Sequence, residues 1–181
     1  WSGSGEAEIS DGMGLRGNGP GPRTARSRRL QKSAILGTDG GGFDIMIGTL
    51  LPVFALLIAS CSIGLMEASR KSSCAHVSGN KLGHLGSTLA DLPTIRAYIA
   101  RARIQADMAR TLRDDTIAAL ASGREDAMLR VVQVKVAAAE AALQVTDSAM
   151  RACGGAAYRN DVGVERDFRT ARAAALLAAI S

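Results

Sequence analysis

Aromatic side chains are scarce: one Trp, two Tyr and three Phe make up 3% of the 181 residues. A core without them has to come from close helix-on-helix packing of Ala, Val, Leu and Ile. Cysteine is limited to Cys61, Cys74 and Cys153, an odd set without metal-ligand spacing. That excludes a cysteine-based metal centre and points to a reduced, cytoplasmic chain. His76 and His84 stand apart from other ligands, in and just after a loop-like stretch, Ser72-Ser-Cys-Ala-His-Val-Ser-Gly-Asn80, and read as structural or solvated. The first residues lack the pattern of a cleavable signal peptide.

Charge is unevenly missing as well. The net charge is +5 and the sequence pI about 9.6, yet much of the excess sits in Arg23, Arg26, Arg28, Arg29 and Lys32 with no aromatic interleaved for base stacking. Nucleic acid is therefore not an expected partner, and this stretch reads as a basic arm or a degraded strand. From Ile45 to Met66 there is no charged residue at all, a run long enough to span a bilayer, which takes about 20 residues. Thr49, Pro52, Ser60 and Ser62 dilute it and no Trp or Tyr marks either interface, so it is read as the central helix of a bundle, with a membrane span as the alternative.

Residues 1–42 are glycine-rich, with Gly19-Pro-Gly-Pro22, and form an irregular arm with short strands at most. Residues 43–181 then read as a mostly α, up-down four-helix bundle. Helices are predicted over 43–75, bent at Pro52, from 87 or 88 to 121, over 127–153 and over 164–180. In the third, Leu129, Val132, Val136, Ala139, Leu143 and Met150 form the expected inward stripe, and Val131, Val134, Ala138, Ala142 and Val145 widen it. So wide an apolar arc predicts a helix that is central or shared with another subunit. In the fourth, Phe168, Ala171, Ala175 and Leu176 are expected on the packed side.

The most specific stretch is C-terminal: Arg151-Ala-Cys-Gly-Gly-Ala-Ala-Tyr158, then Val162-Gly-Val-Glu-Arg-Asp-Phe-Arg-Thr-Ala-Arg172. Paired glycines after a long apolar helix permit positive φ and close approach by a backbone or a ligand. The order of residues resembles the C-terminal domain of the acyl-CoA dehydrogenase family, with its Gly-Gly turn followed by Val-Glu-x-x-x-Arg-Asp-Ala-Arg/Lys. Asp11-Gly-Met-Gly-Leu-Arg-Gly-Asn18 and Ile35-Leu-Gly-Thr-Asp-Gly-Gly-Gly-Phe43 resemble the end of that family's middle β-domain and the entry to its helical domain. Leu85-Gly86, Ala90-Asp91 and Ala106-Asp-Met-Ala-Arg110 resemble its second bundle helix. Where the family has a Val/Phe-rich strand, Thr24-Ala-Arg-Ser-Arg-Arg-Leu-Gln31 departs from it.

The resemblance implies an FAD-dependent oxidoreductase acting on the CH–CH group of an acyl-CoA thioester, with an electron-transfer flavoprotein or oxygen as acceptor and a homodimer or homotetramer as assembly. The chain reads as a fragment of it, inactive by itself. The implied FAD contacts fall on Arg151, Gly154 and Gly155 and on Leu85 and Gly86, Leu85 standing where the family has Phe. The implied catalytic carboxylate falls on Ala178, or in some members on the first bundle helix near Phe54, and neither is acidic. Two alternatives stand beside this reading: the same fold running another flavin reaction, such as monooxygenation, and a non-catalytic helical or membrane protein.

Overall fold

The computed structural model describes residues 12–15, 31–83 and 86–176. Four long helices account for most of them, as expected. α1 runs over Gly42–Gly79, α2 over Pro93–Ser122, α3 over Ala127–Cys153 and α4 over Val164–Leu176, the last described residue. In the described part of the arm, Lys32–Ala34 makes one 3-10 turn; the basic stretch at 23–29 lies outside the described residues.

α1 carries one irregularity, at the place Pro52 dictates. A proline has no N–H, and its ring crowds the carbonyl four residues back, here Gly48. The chain widens ahead of it into a π turn over Met46–Leu50, closed by Leu51 N–H donating to Met46 O, and regular helix resumes with Pro52 in its first turn. The serine-rich stretch expected to be a loop is instead helix. Ser73 Oγ donates to Arg70 O at 3.0 Å, which satisfies the hydroxyl without leaving the helix. Asn80 ends it, its N–H and Nδ2 both donating to His76 O at 3.1 and 2.9 Å. His76 therefore belongs to the last turn of α1, while His84 lies outside the described residues.

The α1–α2 connection holds an unforeseen hairpin, β1 (Lys81–Leu82) antiparallel to β2 (Ser87–Thr88). α2 starts later than predicted because Thr88 and Asp91 form a capping box around the short 3-10 turn Leu89–Asp91. Thr88 N–H and Oγ1 donate to Asp91 Oδ2 at 2.9 and 3.0 Å, and Pro93 then opens the α-helix where its missing N–H costs nothing. α2 stops at Gly123, whose φ of 66° and ψ of 30° are left-handed. Arg124 N–H donates back to Ala119 O at 3.0 Å, and its guanidinium binds Asp115 through two 2.9 Å bonds.

α1 and α3 form the central pair. α2 packs against both on one side and α4 against both on the other, while α2 and α4 barely meet. The main cluster is built of small side chains, among them Ala59, Ala106, Ala138 and Ala142 around Met66 and Val134, as the shortage of aromatics requires. Two predicted faces are displaced. In α3 the residues expected to widen the stripe, Val131, Val134, Ala138, Ala142 and Val145, are all buried; of the expected stripe itself Ala139 is buried and Leu143 and Met150 are half-buried against the clusters, whereas Leu129, Val132 and Val136 are 58%, 52% and 45% exposed. The contact is made by the widening residues together with the C-terminal half of the expected stripe. In α4 the buried face is Val164, Asp167, Ala171 and Ala174, and Leu176 is exposed. The first turns of α1 also face outward, with Phe43, Leu50, Val53 and Leu57 exposed, and α1 is long and apolar enough to cross a membrane.

Candidate functional site

Because the helices alternate in direction, the ends of α1 and α3 and the starts of α2 and α4 share one end of the bundle. Contacts agree with that placement: a Cβ added to Gly163 would lie 4.0 Å from Ser72 Oγ, Arg151 on α3 interacts with Tyr98 on α2, and Asp161 senses His76. Gly86, Gly154 and Gly155 are all at this end. Gly86 has φ +61° in the hairpin turn; its neighbour Leu85 lies outside the described residues.

Gly154 combines φ +59° with ψ −140°, a backbone state essentially reserved for glycine. Its N–H donates back into the last turn of α3, to Arg151 O and Met150 O, and the chain leaves through a 3-10 turn over Gly154–Tyr158. Both glycines are exposed, and a Cβ on either would meet nothing within 4 Å. The turn thus presents bare backbone on its open side. Arg151, one turn earlier, is exposed and donates from Nε to Asp147 Oδ2 at 2.7 Å. That hydrogen bond, with the Asp147 charge, raises its pKa above the ordinary arginine value, so it is a permanent cation. Beyond the turn, Arg159 grips Asp161 through bonds of 3.0 and 2.6 Å.

Of the two expected carboxylate positions, the described one belongs to the other end. Phe54 is on α1, 41% exposed; Ala178 lies outside the described residues. Sequence reasoning missed what accompanies Phe54: Lys135 on α3, only 4% exposed, holds Nζ 5.8 Å from the centroid of the Phe54 ring, a cation over a π face. The one signal for it was a lone charge inside Val131-Val-Gln-Val-Lys-Val136.

Glu67 on α1 is committed elsewhere. Glu67 accepts from Arg110 Nη2 at 2.7 Å and Arg70 Nη2 at 2.9 Å, bonds that hold its pKa below the usual carboxylate value. Glu140 is exposed. Asp167, in the first turn of α4, is 4% exposed, and burial raises its pKa against the weaker pull of Arg166, whose Nε is 3.8 Å away. Burial pushes the Cys153 thiol up to about 11. Among the described residues no His/Cys/Asp/Glu cluster suits a metal.

Comparison with known proteins gives this geometry a family. Residues 40–178 match the family model of the acyl-CoA dehydrogenase C-terminal domain. The chain is 30% identical over 162 residues to the mitochondrial short-chain specific acyl-CoA dehydrogenase of Bos taurus, covering 90% of this chain and 38% of that relative. It therefore spans well under half the length of the curated relatives it matches. The glutaryl-coenzyme A dehydrogenase–glutaryl-CoA complex superposes with a TM-score of 0.74 at 28% identity, over 82% of this chain and 37% of that one. Dibenzothiophene monooxygenase from Paenibacillus superposes with a TM-score of 0.82 over 95% of this chain and 48% of that one, at 18% identity, a likeness of fold. By sequence and by bundle, this chain belongs to the acyl-CoA dehydrogenase family, within its C-terminal domain.

Proposed function

We propose that the protein is an FAD-dependent oxidoreductase whose substrate is an acyl-CoA thioester. The observation that carries this is the Gly154–Gly155 turn: a glycine-only backbone with open space above both Cα atoms, beside the permanent cation Arg151. Those features suit the pyrophosphate–adenosine half of a dinucleotide, since bare backbone permits close approach and guanidinium pairs with phosphate. Gly86, at the same end, is placed to add to that surface.

FAD, when bound, supplies the hydride acceptor, which passes electrons to an electron-transfer flavoprotein or to oxygen. The chain's own part is to bind the nucleotide half at the glycine end and to shape the opposite end around Phe54 and Lys135. Lack of a positioned base forfeits roughly 100 to 10,000-fold in an α-proton abstraction. With Phe54 and Ala178 at the two base positions, a carboxylate from elsewhere in the whole protein has to enter for fast dehydrogenation. The same apolar pair favours the second reading, a flavin monooxygenase that needs no such base. A dimer or tetramer completes the proposal, its contact being the outward stripe of α3.

The decisive test is Gly155→Ala. Position 155 has no positive φ and no neighbour to offend, so the fold is expected to be unchanged while the methyl intrudes on the nucleotide. Flavin content of the purified whole protein should fall severalfold, and unchanged content would remove the glycine turn from the site. Anaerobic mixing of the flavin-loaded protein with a panel of acyl-CoAs then separates the two reactions: bleaching of the flavin absorbance marks the dehydrogenase, and its absence across the panel marks the second reading.

A further inference from the structure

Four residues of the arm, Gly12–Leu15, are laid along the last helix, and the contact is closer than packing alone requires. Arg169 Nη1 donates to Met13 O at 2.6 Å, and its Nε donates to Glu165 Oε2 at 2.7 Å one turn earlier. Glu165 thereby aims the guanidinium, and both side chains are largely covered, 30% and 19% exposed. Next to Met13, Gly14 lies flat against the helix backbone. A Cβ there would be 2.6 Å from Arg169 O, 2.9 Å from Arg169 C and 3.1 Å from Thr170 Cα. These are main-chain atoms of a helix, which cannot swing aside as a side-chain tip can. Arg169 is the first arginine of the Arg169-Thr-Ala-Arg172 stretch, and neither the nucleotide end nor the Phe54 end has a use for it.

We propose that Glu165, Arg169 and Gly14 form a clasp that docks the arm on α4 and sets the position of that helix, so that Arg169 and Gly14 are positioning residues for the chemistry at the Phe54 end of the bundle. α4 needs such a device. It gives the main cluster a single small side chain, Ala171, and small contacts leave a helix free to slide. The catalytic half of the inference rests on the function proposed above; the docking half does not.

Hydrogen exchange of the purified 181-residue chain decides the docking half. In the parent chain the amides of 13–15 and of 169–174 are expected to be protected. Gly14→Ala and Arg169→Ala should each speed exchange there roughly tenfold or more while circular dichroism of the bundle is unchanged. Arg169→Lys, which keeps one donor for Met13 O, should recover part of the protection, and Gly64→Ala, a site with open space around it, should do nothing. Exchange at 13–15 as fast as in a free peptide, or equal in Gly14→Ala and parent, overturns the clasp. In the flavin-loaded whole protein, Gly14→Ala and Arg169→Ala should lower kcat severalfold with KM and flavin content little changed, and Arg169→Lys should restore part of kcat. Unchanged kcat beside an undocked arm overturns the positioning role. A protein that docks its arm but never takes up flavin overturns the proposed function and leaves the clasp standing.

Discussion

Gly154 and Gly155 look alike in the sequence and differ in the structure. At Gly154 any other residue is forced into a strained backbone state, at a cost of about 1–3 kcal/mol, and the open space around it offers no packing to offset that. Gly154→Ala is accordingly expected to lower the urea midpoint, with little change in m, whereas Gly155→Ala leaves it in place. Equal midpoints for the two variants would mean that the turn relaxes without strain. The pair of glycines was legible as a helix end and a place of close approach; which of the two carries the backbone strain was not, because that depends on ψ after the last turn of α3. Lys135 was illegible for another reason. One lysine in an apolar helix is compatible with solvent exposure, and only the register of α1 against α3 puts it over Phe54.

At the scale of elements, α3 shows how far periodicity reaches. Its bounds were legible, with the glycine pair behind it, yet the N-terminal half of its buried face was assigned to the wrong stripe. Leu129-Val132-Val136 and Val131-Val134-Ala138 are both apolar at helical spacing, so no pattern within the helix distinguishes them; the choice falls to the neighbours. Side-chain size does not separate them either, since valines lie on both faces. The late start of α2 was hidden similarly, because Thr88 reads as a helix cap whether it caps a 3-10 turn or an α-helix. α4 carries the buried carboxyl, Asp167. Its pKa is raised above the ordinary 3.8 by burial, so the folded state holds its proton more tightly than the unfolded chain. The stabilising contribution is therefore complete below pH 3.8 and is lost as pH rises through the folded pKa. Asp167→Asn, which imitates the protonated form, should be the more stable protein near neutral pH, with the gap closing in acid. Denaturation at the two pH values checks this, and a gap that widens in acid contradicts it.

For the whole molecule, the bundle and the family were legible because they rest on long helices and on a residue order at the C-terminus. Assembly is the property left to the surface. Leu129, Val132 and Val136 are exposed on α3, and replacing all three by Gln or Thr should shift stability only slightly, since exposed positions seldom change it by more than about 0.5 kcal/mol each. The same variant is expected to lower the mass measured by light scattering. If the mass stays the same, the subunit contact is somewhere else.

The arrangement of α2 and α4 on opposite flanks of the α1–α3 pair bears on how the molecule comes apart. α2 shares the main alanine-rich cluster through Ala102, Ala106 and Ala109, whereas α4 adds Ala171 to it and otherwise belongs to a satellite group of Val164 with Ala149, Cys153 and Ala157. Peeling α4 away breaks no contact of α2 worth the name. Opening is thus expected in two cooperative steps of unequal free energy, α4 first and the three remaining helices together afterwards. In denaturant-dependent hydrogen exchange the amides of 164–176 should merge with the global isotherm last, and a segment that enters and leaves by itself is the part of this domain where a bound nucleotide or a neighbouring subunit can change the population most.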